Sequence, residues 1–173
     1  MKIYLVRHTE TVCEKSICYG QADVAIKEPY LDIFQEIKTQ LPTDAIVYSS
    51  PLLRCKKMAE FISNDIILDK RVMEMNFGNW ELQPWNEIPL EEINPWMENF
   101  VSVRVPNGES FEDLHERVGD FYSELLQKKE DKIILICHAG TIRSILSRYH
   151  KTNLNDAFSL YSVNYGEVIC LEL

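Results

Sequence analysis

The sequence predicts an α/β protein with a mostly parallel central sheet covered on both faces, and three observations lead there. Short apolar runs suited to strands alternate with segments whose apolar residues recur at helical spacing. One run, Lys132–Cys137, is apolar at every position after the first, as in a parallel strand with helices above and below. No internal repeat, low-complexity tract or linker divides the 173 residues, so one domain over 1–173 is expected.

Taken in order, Lys2–Val6 reads as a buried strand. Leu31, Phe34, Ile37 and Leu41 give helical spacing across Tyr30–Leu41. Ala45–Tyr48 is a short strand. Ser49-Ser50-Pro51 reads as a helix start, with a serine cap and a proline in the first turn, and the helix runs to about Ile62. Ile66–Leu68 is another strand. Residues 75–105 differ: they hold Trp80, Trp85 and Trp96 together with Pro84, Pro89 and Pro95, which predicts a lid-like insert of short helices and loops. Glu112–Gln127 is a helix with Leu114, Val118, Phe121 and Leu125 on one side. A further helix follows the Lys132–Cys137 strand through Arg148. Leu160–Val163 and Val168–Leu171 are expected to pair around Asn164-Tyr165-Gly166 as an edge hairpin.

Lys and Arg total 18 against 27 Asp and Glu, a formal charge of −9, which argues against a general partner for nucleic acid or an anionic membrane. A small anionic substrate stays open, because a few arginines can dominate one pocket. No apolar segment approaches the ~20 residues that span a bilayer, and Ile3–Val6 is too short for a signal segment, so a cytoplasmic protein is expected. The 5 cysteines are odd in number and lack zinc spacing. Cys137 and Cys170, in strand-like runs, are expected to be reduced core residues.

Two histidines carry the chemistry. His8 and His138 each follow an apolar strand, and functional groups of a parallel sheet collect outside the carboxyl ends of its strands. Arg7 is a forked cation suited to phosphate or carboxylate, and Thr9 and Thr11 add hydroxyls in the same turn. Ala139 and Gly140 allow close backbone approach at a helix start whose N–H groups can face an anion. Arg143 on that helix is expected to pair with a carboxylate. Arg54, early in its helix, suits either an anion or a solvated face. Glu74 sits between Met73 and Met75, with Phe77 nearby; partial desolvation there would raise its carboxyl pKa and let it donate a proton. Together these residues describe phosphoryl transfer. One imidazole attacks phosphorus, arginines and the other imidazole neutralise the oxygens, and a glutamate serves the leaving alkoxide. Such a site calls for no metal and no cofactor.

The motifs in which these residues lie resemble those of the histidine phosphatases, the phosphoglycerate mutase-like superfamily. They are Leu5-Val6-Arg7-His8-Thr9-Glu10-Thr11, Ser49-Ser50-Pro51-Leu52-Leu53-Arg54, Met73-Glu74 through Trp80-Glu81, Pro106-Asn107-Gly108-Glu109-Ser110 and His138-Ala139-Gly140-Thr141-Ile142-Arg143. The resemblance implies a three-layer α/β/α fold, His8 as phosphorylated nucleophile, Glu74 as proton donor, and Arg7, Arg54 and His138 around the phosphate. Cys18-Tyr19-Gly20-Gln21-Ala22-Asp23-Val24 is further similar to the α-ribazole phosphatases, which remove the 5′-phosphate of α-ribazole phosphate in cobalamin nucleotide-loop assembly. Gly20 and Gln21 would then line the phosphate pocket with Thr9, Ala139 and Gly140. Glu14 stands where the family often has asparagine, and Leu82 where it has glycine. The Leu-x-x-x-Gly pattern is blurred over Ile26–Leu31. These departures bear on substrate range more than on chemistry.

The expected partner is a small phosphomonoester. Rival readings are a mutase, which in this family usually has a longer chain, a metal-dependent hydrolase with His8, His138 and Glu74 as ligands, and a phosphate-binding module without turnover.

Overall fold

The computed structural model describes residues 1–173. Strands β1 (Lys2–Arg7), β2 (Ile46–Ser49), β3 (Ile66–Leu68), β4 (Lys132–Cys137) and β5 (Val168–Glu172) form one sheet in the order β3-β2-β4-β1-β5. The first four run parallel, and β5 lies antiparallel to β1 at the edge. The helices are α1 (Leu31–Thr39), α2 (Leu53–Ile62), α3 (Leu90–Glu98), α4 (Phe111–Leu125), α5 (Ala139–His150) and α6 (Ala157–Leu160).

The pleat of β1 and β4 sorts the core into two layers. Ile3, Leu5, Ile133, Leu135 and Cys137 face the α4 and α5 side. Val6, Ile134 and Ile136 face α1 and α2, meeting Phe34, Ile37 and Met58. Every sheet residue named is buried, which is why β4 reads as a continuous apolar run. A capping box opens α4: the Ser110 side chain accepts from the Asp113 N–H, and the Asp113 carboxylate accepts from the Ser110 N–H. Its apolar stripe, Leu114, Val118, Phe121 and Leu125, is buried as spacing predicts.

One register pair positions the site. Arg7 on β1 lies opposite Cys137 on β4. The next residue on each strand is a histidine, so pairing alone brings His8 and His138 together. The His8 N–H donates to the Cys137 carbonyl at 3.1 Å and holds that junction closed.

Three expectations are corrected. The second helix begins at Leu53, not at Ser49. The Ser50 N–H still donates to the Ile136 carbonyl at 3.0 Å, so the chain stays on the sheet and cannot turn helical there. The Leu53 N–H finds its acceptor in the distant Asp23 carboxylate, at 2.7 Å. Leu160–Val163 forms no hairpin with β5: Leu160 ends α6, and the carbonyls of Tyr161 and Val163 accept from Arg143 and Arg7. Cys170 is exposed, because β5 turns one face outward at the sheet edge; Cys18, Cys55 and Cys137 are buried, and no cysteine is in a disulfide.

Residues 75–105 hold two 3₁₀ turns, Gly78–Trp80 and Trp85–Glu87, before α3. Trp80 is fully buried, donates from Nε1 to Glu92 at 2.8 Å and meets Trp96 edge-on at 5.6 Å. Trp85 and Trp96 line a cavity, and the buried Trp80 packs behind Trp96. No helix is long and apolar enough to cross a membrane.

Candidate active site

The rings of His8 and His138 meet edge to face with centroids 5.2 Å apart. His8 Nδ1 lies 2.8 Å from the Thr9 carbonyl. A carbonyl only accepts, so Nδ1 carries the proton and Nε2 keeps its lone pair. Burial, then the charges of Arg54 and Arg7, hold the His8 imidazole well below its ordinary pKa, against the pull of the Thr9 bond. The ring is therefore neutral, the form a nucleophile needs. His138 is fully buried; its Nε2 lies 2.8 Å from Ser50 Oγ, and Cys55 Sγ is 3.5 Å away. Burial, with Arg54 and His8 adding, pushes His138 down as well.

Two guanidinium groups flank this pair. Arg7 donates from Nη1 to the Val163 carbonyl at 2.7 Å and lies over the Tyr165 ring, 3.8 Å from its centroid. Arg54 is fully buried and donates to the Gly20 and Ala22 carbonyls. Neither is neutralised by a carboxylate within 4.0 Å. Of seven buried side-chain polar atoms without a partner, three gather here: Arg7 Nε, Arg54 Nε and Thr9 Oγ1. Uncompensated cations and orphaned polar atoms around one imidazole are the signature of a site built for an anion.

Glu74 is half-buried and lines the same cavity as Arg7, His8 and Arg54. Its Oε1 accepts from the Met75 N–H at 2.9 Å and its Oε2 from the Gly140 N–H at 3.1 Å. The free N–H groups expected at the start of α5 thus receive first the protein's own carboxylate. Ala139 and Gly140 lie beside it in a cavity wall. Gly20 and Gln21 do not line either cavity of the site. Their N–H groups, with those of Ala22 and Phe77, go to the Glu81 carboxylate at 2.8–3.0 Å. Both Glu81 oxygens are thereby acceptors twice over, so Glu81 fastens the loop that holds Arg54 and has no free oxygen for proton transfer.

Several contributors are hard to foresee. Arg117 sits within the Leu114, Val118, Phe121 stripe, a cation at an i+3 position that spacing alone could flag. Its guanidinium reaches the Glu74 carbonyl at 2.9 Å and Glu109 at 2.7 Å. Tyr165 lies in a loop, and nothing local marks it as the platform under Arg7. Arg143 pairs with no carboxylate; its Nε donates to the Tyr161 carbonyl at 3.1 Å.

Two cavities adjoin. A polar one of about 270 Å³ contains Arg7, His8 and Arg54, with Glu14 and Lys15 at its rim. A largely aromatic one of about 460 Å³ is walled by Phe77, Trp85, Trp96, Phe100 and Phe158, with Arg143 as its one basic residue. Tyr19, Glu74 and Trp85 belong to both. A molecule spanning them would place an anion on His8 and an apolar body in the second chamber, with Glu74 at the junction. His8, His138 and Glu74 do not converge as metal ligands: no three His, Cys, Asp or Glu side chains are so grouped.

The protein named "Putative phosphoserine phosphatase 2" of Hydrogenobacter thermophilus is 27% identical over 178 residues, spanning 95% of this chain and 86% of that one. The "Probable phosphoglycerate mutase GpmB" of Escherichia fergusonii is 29% identical over 160 residues, spanning 85% and 74%. The crystal structure of the alpha-ribazole phosphatase from Shigella flexneri superposes with a TM-score of 0.91 at 21% identity, covering 100% of this chain and 91% of that one; at this identity the likeness speaks to the fold. The family model for the histidine phosphatase superfamily (branch 1) matches residues 3–173, and the chain, with its paired histidines on adjacent strands, belongs to that superfamily.

Proposed function

We propose that the protein is a metal-independent phosphomonoester hydrolase of the cytoplasm, acting through a phosphohistidine at His8, with α-ribazole 5′-phosphate as substrate in cobalamin nucleotide-loop assembly. One observation carries the hydrolase reading: Glu74 lines both the arginine-rich cavity around His8 and the aromatic cavity beside it. A phosphate ester bound across them has its bridging oxygen next to that carboxyl group.

In the first step the His8 Nε2 lone pair forms the N–P bond as the P–O bond to the alcohol breaks. Glu74 is assigned as the acid that passes a proton to the departing oxygen. Arg7 and Arg54, already fixed by carbonyl bonds, face the non-bridging oxygens and need no reorganisation. His138 is assigned to the same oxygens. Burial is the main cause that keeps the His138 ring neutral and arginine charges add to it; a phosphate dianion offsets the arginine part, which makes His138 a better donor. In the second step Glu74 takes a proton from water as its oxygen attacks phosphorus. The N–P bond breaks, and His8 and inorganic phosphate are released.

The aromatic chamber favours an alcohol carrying a flat ring over phosphoserine or phosphoglycerate, which bring no ring to pack against its walls. The test is phosphate release by purified protein from a panel of α-ribazole 5′-phosphate, 4-nitrophenyl phosphate, phosphoserine and 3-phosphoglycerate in excess chelator. Activity should survive the chelator, and His8→Ala should lower kcat by about 10⁴-fold or more. A kcat/KM preference for α-ribazole 5′-phosphate over the small acids well above tenfold, about 1.4 kcal/mol, supports the substrate. Full activity of His8→Ala overturns the mechanism. A preference for phosphoserine overturns the substrate, and net conversion of 3-phosphoglycerate to its isomer overturns hydrolysis.

A further inference from the structure

Arg143 stands alone in the aromatic chamber. Its Nε is bonded to the Tyr161 carbonyl at 3.1 Å, and its guanidinium lies over the Phe158 ring, 4.5 Å from the centroid. Neither terminal nitrogen has a protein partner, and no carboxylate lies within 4.0 Å. The bond and the ring beneath it fix the orientation of the fork, so it is a preorganised donor rather than a mobile surface charge. Trp96, Met97, Phe100 and Phe111 line the same cavity, and none of them offers the guanidinium a charge or an oxygen acceptor. Burial lowers its pKa from the ordinary arginine value, with Glu74 opposing and Arg7 adding, the mark of a cation that lacks compensation.

The position is equally specific. Gly140, whose N–H holds Glu74, and Arg143 are three residues apart on α5, about one helical turn or 5 Å along the axis. A group held by Arg143 therefore lies a turn away from the carboxyl that serves the departing oxygen.

We infer that Arg143 is a specificity-determining residue: it receives a hydrogen-bond acceptor, a ring nitrogen, carbonyl or carboxylate, borne by the aromatic alcohol of the substrate. This rests on the phosphomonoesterase reading above and adds a second recognition point to it. The phosphate is held by Arg7 and Arg54, the ring by the aromatic wall, and the far acceptor by Arg143. A purely hydrocarbon alcohol would fill the chamber but leave this donor without a partner.

The test compares 4-carboxyphenyl phosphate with 4-methylphenyl phosphate in the wild type, Arg143→Met and Arg143→Lys. Arg143→Met should lose about 10- to 100-fold in kcat/KM on the carboxy ester, the range for a charged hydrogen bond, and less than about threefold on the methyl ester. Arg143→Lys should recover part of the loss. Using the ratio of the two losses cancels the different reactivities of the esters. Equal losses on both esters, or no loss on either, overturns the inference while leaving the hydrolase reading intact. If the wild type turns over neither ester, the hydrolase reading fails. Calorimetric binding of the two matching arylphosphonates to wild type and Arg143→Met then decides the role of Arg143, with the same selective loss expected and equal binding counting against it.

Discussion

The Gly140 N–H donates to Glu74 Oε2 at 3.1 Å, and a Cβ at position 140 would stand 2.3 Å from Glu74 Oε1. The glycine therefore leaves room for the carboxylate while its backbone holds that carboxylate in place. In Gly140→Ala the nearest obstacle is the end of a flexible side chain, so the clash is relieved by turning Glu74 away rather than by unfolding. The expected outcome is a fall in kcat of about 10²-fold, the lower end of a general-acid contribution, with a change in Tm of only a few degrees. Steady-state kinetics and thermal melts check both; unchanged kcat would mean the carboxylate position is not used.

The same pair shows what a sequence can and cannot disclose. His8 and His138 are legible because each is covalently next to a strand, and parallel pairing then joins them without further information. Glu74 is legible as a residue but not in its bonding, since its partner Gly140 is 66 positions away. The helix start expected at Ser49 fails for a tertiary reason: Ser50 is held by Ile136 and His138, and the first α2 amide by Asp23. The hairpin expected near Leu160 fails because Arg7 and Arg143 take the carbonyls it needs. In each case a local pattern is outweighed by a long-range polar contact that carries no local signal.

Glu81 supplies the second prediction. Four backbone N–H groups converge on its two oxygens, and the loop they hold presents the Gly20 and Ala22 carbonyls to Arg54. Glu81→Gln keeps the shape but aims an amide N–H₂ at two of those donors. Leaving them unpaired is expected to cost about 2–4 kcal/mol, a drop in Tm of roughly 4–15 °C for a chain of this size. Below the transition KM should rise more than kcat falls, because what loosens is the loop under the phosphate arginine. A loss confined to kcat, with KM and Tm unchanged, would instead point to proton transfer by Glu81.

Arg54 is the third. It is fully buried, spends two N–H groups on carbonyls and still faces His8. Lysine keeps the charge but is a single point with no fork. It cannot hold the loop and meet a phosphoryl oxygen together, so Arg54→Lys is expected to lower kcat/KM by about 10²–10³-fold, the cost of removing one transition-state donor. Added guanidinium ion should restore part of the activity of the smaller variant Arg54→Ala; activity of Arg54→Lys within threefold of wild type would remove the fork from the mechanism.

Stability against pH offers a test that needs no substrate. Burial, reinforced by arginines, lowers the pKa of both His8 and His138 well below 6.5, and burial beside Arg148 lowers His115 to about 4. In the unfolded chain each imidazole takes a proton near pH 6.5. Below that pH the unfolded state binds more protons than the folded one, so stability falls as pH falls; well above it the contribution is present in full. Each histidine can add at most about 1.4 kcal/mol per pH unit to this slope. Stability from urea unfolding at pH 7.5, 6.5 and 5.5 should therefore fall a little between the first two, by about 0.4 kcal/mol per histidine, and by about 1 kcal/mol per histidine more at the third, before the lowered carboxyls of Asp44, Asp69 and Asp113 begin to protonate. The double variant His8→Asn, His138→Gln removes two of the three groups and should show a shallower drop, with only His115 left. Saturating inorganic phosphate should also flatten the wild-type curve, because a bound dianion lets the site histidines accept protons in the folded state. If the double variant and the wild type fall in parallel, the two imidazoles are not held neutral by their surroundings, and the lone pair assigned to His8 Nε2 loses its physical basis.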